Sequence, residues 1–432
     1  MKSWSSPRVT PLEPAGTPPL RLHDSRSGRT AEILPRDGRT ARLYVCGITP
    51  YDSTHMGHAA TYHAADLVHR ALLDAGHRVE VAQNVTDVDD PLFERAHRDD
   101  VDWQDLAAEQ TALFTSDMEA LRIIAPDSYL SVSESMDAII EDVGELARTG
   151  RAYRVETPDA LDTDGADWYL DLAVDGRLGE VSGWSREQMM EVFADRGGDP
   201  DRPGKRDPFD PLVWSAARAG EPAWDSTVLG RGRPGWHVEC VVISSRTLAL
   251  PFDVQIGGSD LIFPHHDMSA AHAVALGSEF ADHYMHAGMV AYEGEKMSKS
   301  LGNLVFVSRL TARGVDPRAV RLVLMGHHYR ADWEWTEDLL ASSADRLRAF
   351  RERAARDRRD GTEHPAVVDA LRQALRDDLD TPRALRILDA WAGGEDPPSA
   401  LTNGTVPAGA PGDVAAAVDA LFGVDLLADD PA

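Results

Sequence analysis

Apolar and polar positions along the chain fall into short runs that alternate between two periods. Arg42 to Val45 reads as a strand, with Cys46 at its carboxyl end. Ala60, Ala64, Leu67, Val68, Ala71 and Leu72 recur at helical spacing and predict a helix over Ala59–Ala75, closed by Gly76. Arg78 to Val85 alternates as the next strand, so the first part of the chain predicts a βαβ unit. Leu106, Leu113, Met118 and Leu121 predict a helix over 103–124, broken at Pro126, and Ser135–Thr149 predicts another. Residues 150–207 carry Gly, Asp, Pro and short aromatic runs and read as an inserted β-containing subdomain. Farther on, Val241–Leu248 is helical by pattern, Phe252–Ile256 is a strand, 257–260 is a turn, and a helix opens near Phe263 and runs through Ala275. Asp316–Leu324, Leu339–Ala354 and Val367–Leu379 predict helices, and Glu395–Pro411 predicts a loop.

These elements define an α/β protein with a Rossmann-like core. The expected organisation is an N-terminal arm over 1–40 with one or two short strands and loose packing. The first half of the core domain covers 41–125, an inserted connective subdomain 126–207, and the second half 208–288. A lysine-bearing loop and stem-like junction follow over 289–335, then a C-terminal helical region with an acidic tail over 336–432.

Composition narrows the function. Arg and Lys total 44 against 72 acids, a formal net charge of -28, which argues against long-range attraction to nucleic acid. No basic residue follows Arg386, so the C-terminal part is a poor RNA surface. Only Lys2, Lys205, Lys296 and Lys299 are lysines, and two of the four fall within one five-residue loop, Lys296-Met297-Ser298-Lys299-Ser300. Cys46 and Cys240 are the only cysteines, too few for a disulfide framework. No apolar run of membrane length and no secretory leader pattern is present, so a cytoplasmic protein that avoids membranes is expected.

Three stretches carry the candidate chemistry. In Thr54-His55-Met56-Gly57-His58, two imidazoles lie at a helix start whose N–H groups suit an anion. In the lysine loop, two ammonium groups can neutralise a triphosphate as its α-phosphorus is attacked; no Walker loop is present. The third stretch joins Cys46 and Cys240 to His265 or His266, donors suited to zinc. Asp267, Ser269 and His266 are the local candidates for a fourth ligand, and a position left open would take a substrate thiolate and reject serine. Taken one at a time, the residues also admit plain readings: surface histidines, two buried reduced cysteines, a core Trp236, and helix caps at Asp89 and Asp90. Lys205 and Arg206 face the cleft or pair with acids nearby.

Taken together, the stretches resemble class I aminoacyl-tRNA synthetases. His55-Met56-Gly57-His58 is similar to their His-Ile-Gly-His signature, and residues 296–300 match their lysine signature, in the same order. Gly235–Cys240 and Gly257–His266 resemble cysteinyl-tRNA synthetase in particular. That family binds zinc through two cysteines, a histidine and a glutamate four residues on, where this chain has Ser269. Ser269, the short region after Thr336 and Cys46-Gly47-Ile48-Thr49-Pro50-Tyr51-Asp52 are closer to the relatives that join cysteine to 1-O-glucosaminyl-myo-inositol in mycothiol biosynthesis.

The resemblance implies a cysteinyl-adenylate, an ATP-dependent ligase reaction, one zinc per chain at Cys46, Cys240 and His265, and Mg2+ with ATP. It implies catalytic roles for His55, His58, Lys296 and Lys299. ATP or adenylate would also meet Thr54, Gly57, Trp236, Gly257, Gly258, Asp260, Val290, Met297 and Ser298. Cysteine would meet Cys46, Gly47, Thr49, Thr86, Trp236 and Asp260. Asp260, His266 and Asp267 are candidates for the base that serves the sugar amine. L-cysteine, ATP and the aminosugar are the expected partners of a monomer that takes no tRNA; the alternative is a cysteinyl-tRNA synthetase.

Overall fold

Leu43, Tyr44 and Val45 are all buried, as befits a strand covered on both faces. In the computed structural model the strand they belong to, Thr40–Val45 (β1), is the middle of a five-stranded parallel sheet. The other strands are Arg78–Val85 (β2), Ser128–Ser131 (β3), Phe252–Gly258 (β4) and Ala281–Ala287 (β5). Their order is β3-β2-β1-β4-β5, every neighbouring pair parallel. The order reverses between β1 and β4, and the crevice at the carboxyl ends of those two strands is where doubly wound sheets bind ligands. Register there is tight: Val45 lies opposite Ile256, and Cys46 N donates to Ile256 O at 3.1 Å. The structure describes residues 1–12, 18–51, 54–162, 165–174, 177–297, 302–395 and 412–429, and of Lys296 the backbone alone.

Three helices position the crevice residues. Met56–Asp74 (α1) begins on His55, whose ring accepts from Gly57 N, and it buries most of its length between β1 and the C-terminal helices. Gly76 follows its C-terminus with φ +85°, the left-handed position its sequence foretold. Trp236–Thr247 (α2) lies against β2, and Asp267–Ala275 (α3) lies against α2. Helix α2 starts five residues before the run Val241–Leu248, so Trp236 to Cys240 are its first turn rather than its lead-in. Helix α3 starts at Asp267; Phe263 is extended and His265 and His266 sit in the turn before it.

The inserted sheet is antiparallel and joins 152–156, 166–170, 212–216 and 232–234. The limits expected at 126 and 207 therefore shift: β3 belongs to the central sheet, while Leu212–Ala216 and Gly232–Pro234 belong to the insert. Lys205 pairs with Asp199 at 2.7 Å, and Arg206 pairs with Asp171 at 2.6 Å. The N-terminal arm is not loose. Trp4 is buried with its Nε1 donating to Ile123 O, and the hairpin Arg21–Asp24/Arg29–Glu32 packs Leu20, Leu22 and Ile33 into the core.

The C-terminal helices 337–360, 365–376, 381–393 and 414–422 lie against α1 and 317–325. A buried charge network fastens them. Asp66 on α1 takes Arg70 Nε at 2.7 Å, Arg321 Nη2, and Ile124 N at 2.9 Å. The same arginines donate to the carbonyls of Asp419, Ala420 and Phe422. Burial alone would raise the Asp66 carboxyl, but Arg70 and Arg321 outweigh it and hold the group well below the carboxylate range. Among the described residues no helix is long and apolar enough to cross a membrane.

Candidate active site

Cys46 leaves the end of β1, Cys240 points from the first turn of α2, and His265 stands in the turn before α3. Their ligand atoms all lie within 4.8 Å of one another, and all three residues are buried. Among the described residues they form the one group of this kind. His265 Nε2 is buried without a hydrogen-bond partner, while Nδ1 lies 3.0 Å from His237 Nδ1. A free imidazole nitrogen aimed at two thiols, its other nitrogen fixed by an outer partner, fits a zinc ion. The hydrogen bond from the Cys46 thiol, and after it His265, draws the Cys240 thiol well below its ordinary range against the effect of burial. Burial pushes Cys46 the other way.

The three candidates for a fourth ligand are all engaged elsewhere. Asp267 accepts from Val181 N at 2.7 Å and from Ser182 N. Ser269 Oγ donates to His237 O at 3.5 Å. His266 places Nε2 3.3 Å from Cys46 Sγ and Nδ1 2.7 Å from His286 Nε2, the position of an outer partner. By residue type alone His265 and His266, adjacent in sequence, are equivalent; the cluster contains His265, as the resemblance implies.

The walls follow from close packing. Trp236 is half-buried and stacks on His265, centroids 4.2 Å apart at 22°, so it is a wall of this pocket and not core. Gly47 N donates to Asn84 Oδ1 at 2.8 Å, and a Cβ on Gly47 would lie 1.7 Å from Asn84 O. Thr86 is buried and accepts from Asn84 Nδ2, and its N–H bonds Ile48 O. Thr49 donates to Asp89 Oδ2 at 2.9 Å; Asp89 is also the N-cap of helix 90–99, as a cap reading requires. Burial pushes Asp89 up to about 6, and the Thr49 hydroxyl restrains that rise. Asp90 pairs with Arg233.

At the end of β4, a Cβ on Gly257 would meet the His266 ring at 2.9 Å, and one on Gly258 would meet Asp260 Oδ1 at 2.7 Å. These glycines therefore make room for protein side chains. Asp260 is half-buried, and its carbonyl accepts from Arg196 of the insert at 3.0 Å.

His55 and His58 stack, centroids 3.8 Å apart. Because His55 Nδ1 accepts from Gly57 N at 3.1 Å, the neutral ring carries its proton on Nε2. Burial lowers His58 to about 4, so it is neutral at physiological pH. The need for Gly57 is local: a Cβ there would lie 2.9 Å from His55 Cε1. The histidine signature is tied by backbone to the chain that leaves the lysine loop, through Met56 N to Val305 O at 2.9 Å and Val307 N to Thr54 O at 3.1 Å. Val290 and Met297 are buried, and Met297 N donates to Val290 O at 3.4 Å. Ser298 and Lys299 lie outside the described residues, as does the side chain of Lys296.

Asn84, Gln255, His237 and Arg196 were not legible as site residues. The one available signal was an uncharged polar residue within an apolar strand: Asn84 near the carboxyl end of β2 and Gln255 in the middle of β4, both fully buried.

The switch-point crevice and the paired signatures are those of a class I synthetase, and the comparisons agree. The model of the "tRNA synthetases class I (C) catalytic domain" matches residues 33–345. The fold is similar to Mycobacterium tuberculosis methionyl-tRNA synthetase solved with methionyl-adenylate: TM-score 0.61, 15% identity, 82% of each chain covered. It is also similar to an Agrobacterium radiobacter leucyl-tRNA synthetase, with TM-score 0.60 and 12% identity over 96% of this chain and 85% of that one.

Within this class the chain belongs to the family of L-cysteine:1D-myo-inositol 2-amino-2-deoxy-alpha-D-glucopyranoside ligases. It is 66% identical to the protein of that name from Brachybacterium faecium over 426 residues, 99% of this chain and 100% of the relative. It is 53% identical to the one from Saccharomonospora viridis over 99% of this chain and 100% of that one.

Proposed function

We propose that this protein joins L-cysteine to the amine of 1-O-glucosaminyl-myo-inositol, consuming ATP and releasing AMP and pyrophosphate. The observation that carries the reading is the three-donor cluster Cys46–Cys240–His265 at the switch point, beside Trp236, with its fourth-ligand candidates engaged by protein partners. Zinc held there would take the substrate thiol as thiolate and discriminate against the harder hydroxyl of serine.

The chain's own residues account for the rest. Trp236, braced on His265, walls the amino acid; Gly47, Thr49 and Thr86 shape the opposite side. The substrate carboxylate oxygen attacks the α-phosphorus of ATP, and the bond to the β-phosphate breaks. His55 Nε2–H and His58 donate to the phosphate oxygens as charge shifts, and Lys296 and Lys299 neutralise the departing pyrophosphate; Mg2+, when bound with ATP, would supply further charge neutralisation. The sugar amine then attacks the adenylate carbonyl carbon. A C–N bond forms, the C–O bond to phosphate breaks and AMP leaves. The amine proton passes to a base, for which Asp260, His266 and Asp267 are the candidates.

The test supplies cysteine and ATP with either the aminosugar or tRNA. Amide formed with the aminosugar and no charged tRNA supports this reading. Charged tRNA with no amide would make the protein a cysteinyl-tRNA synthetase.

A further inference from the structure

The buried histidines behind the cluster form a line that ends at the N-terminal hairpin. His266 Nε2 lies 3.3 Å from Cys46 Sγ, His266 Nδ1 lies 2.7 Å from His286 Nε2, and His286 Nδ1 lies 2.7 Å from Ser25 Oγ. Each ring uses both nitrogens. Gln255 Nε2 donates to the same sulfur at 3.1 Å.

Three separate features hold this line in place. Gly257, opposite His286 in the β4–β5 pairing, leaves the space the His266 ring fills, since a Cβ there would lie 2.9 Å from His266 Cε1. Ser25 is set by its own N–H on Tyr284 O at 2.9 Å. The hairpin is clamped along β5 by Tyr284 N to Asp24 at 3.0 Å and by Arg26 to Asp282 O at 2.6 Å.

A ligating Cys46 is a thiolate and can only accept. His266 must then donate from Nε2 and accept at Nδ1, so His286 donates from Nε2 and accepts from the Ser25 hydroxyl. A single arrangement of hydrogens satisfies every atom in the line.

We propose that His286 and Ser25 are positioning residues for the thiol-binding centre, fixing through His266 the hydrogen bond that orients the Cys46 sulfur and draws off its electron density. This rests on the reading of Cys46, Cys240 and His265 as a zinc site. It gives the N-terminal hairpin a function: it delivers the terminal hydroxyl. Outer partners of this kind are worth roughly 10- to 100-fold in metal affinity.

The experiment measures zinc affinity by chelator competition, and the thiolate-to-metal charge-transfer band of the cobalt-substituted protein, for wild type, H286A, H286Q and S25A. In H286A, zinc affinity should fall roughly 10- to 100-fold and the band should shift. H286Q, whose amide can donate to His266 and accept from Ser25, should stay within a few-fold of wild type. S25A should move both readouts in the direction of H286A by a smaller amount, and it keeps the test open if H286A does not fold. Wild-type affinity and an unmoved band in folded H286A, or in S25A, would overturn the proposal. So would an H286Q protein as impaired as H286A, because packing would then be the cause. A wild-type protein that held no zinc would overturn the underlying reading, and this proposal with it.

Discussion

Replacing Gly47 with alanine adds one methyl group, and the structure fixes how much room it lacks. The new Cβ would lie 1.7 Å from Asn84 O and 2.5 Å from Asn84 C, where real Cβ atoms keep at least 3.0 Å. Gly47 has no positive φ, so space and not conformation is at stake. Both neighbours are backbone, which cannot swing aside, so either the turn after β1 or the end of β2 must move by more than about 1 Å. The turn carries Cys46, and the end of β2 leads into Thr86. Metal–sulfur distances tolerate about 0.2 Å, and a misplacement of about 1 Å can cost about 100-fold in rate. Overpacking itself costs about 1–3 kcal/mol. G47A should therefore fold, lose zinc in chelator competition, and lose about 100-fold or more in kcat/KM for cysteine-dependent pyrophosphate exchange. Wild-type zinc content with wild-type kcat/KM in G47A would refute the reasoning.

Three further outcomes follow from named contacts. C240A should lose most of its zinc and most of its preference for cysteine over serine; unchanged metal content by elemental analysis would contradict the cluster. D66N keeps the shape of Asp66 but leaves Arg70 and Arg321 buried without their anion. Denaturant unfolding should show a loss of about 3–5 kcal/mol, and a loss below about 1 kcal/mol would mean that the network does not fasten the C-terminal helices. Burial pushes Asp117 up to about 7, with the Thr54 hydroxyl and the Ser308 N–H opposing that rise. The native state then holds a proton that the unfolded chain releases near pH 4, so stability falls as pH rises from about 4 to about 7. D117N cannot ionise, and its stability relative to wild type should climb across that window by up to about 4 kcal/mol and then level off. A difference that does not vary with pH would show that Asp117 ionises freely in the folded protein.

What the chain discloses locally, and what it does not, follows from the range of the interactions. Strand β2 and the end of α1 at Gly76 were legible because they depend on apolar spacing and one backbone conformation. Helix 90–99 was not, because it buries only Leu92 and Ala96. The arm over 1–40 reads as loose by composition, yet Trp4 and Leu22 find their partners far along the chain. The insert boundary was misjudged because Leu212–Ala216 is as apolar as a main-sheet strand and reveals its antiparallel partners only in three dimensions. The two cysteines and the histidine pair were visible as chemistry. Their meeting depends on the order of β1 and β4, strands about 200 residues apart, which no local pattern encodes. For the same reason Asn84, Gln255 and His286 passed as ordinary polar residues of buried strands.

Sulfur selects the substrate at the proposed zinc site. Cysteine-dependent and serine-dependent exchange of pyrophosphate into ATP, measured on the same zinc-replete protein, compares the two amino acids directly. The account predicts robust exchange with cysteine and background with serine. Comparable kcat/KM for the two would contradict it.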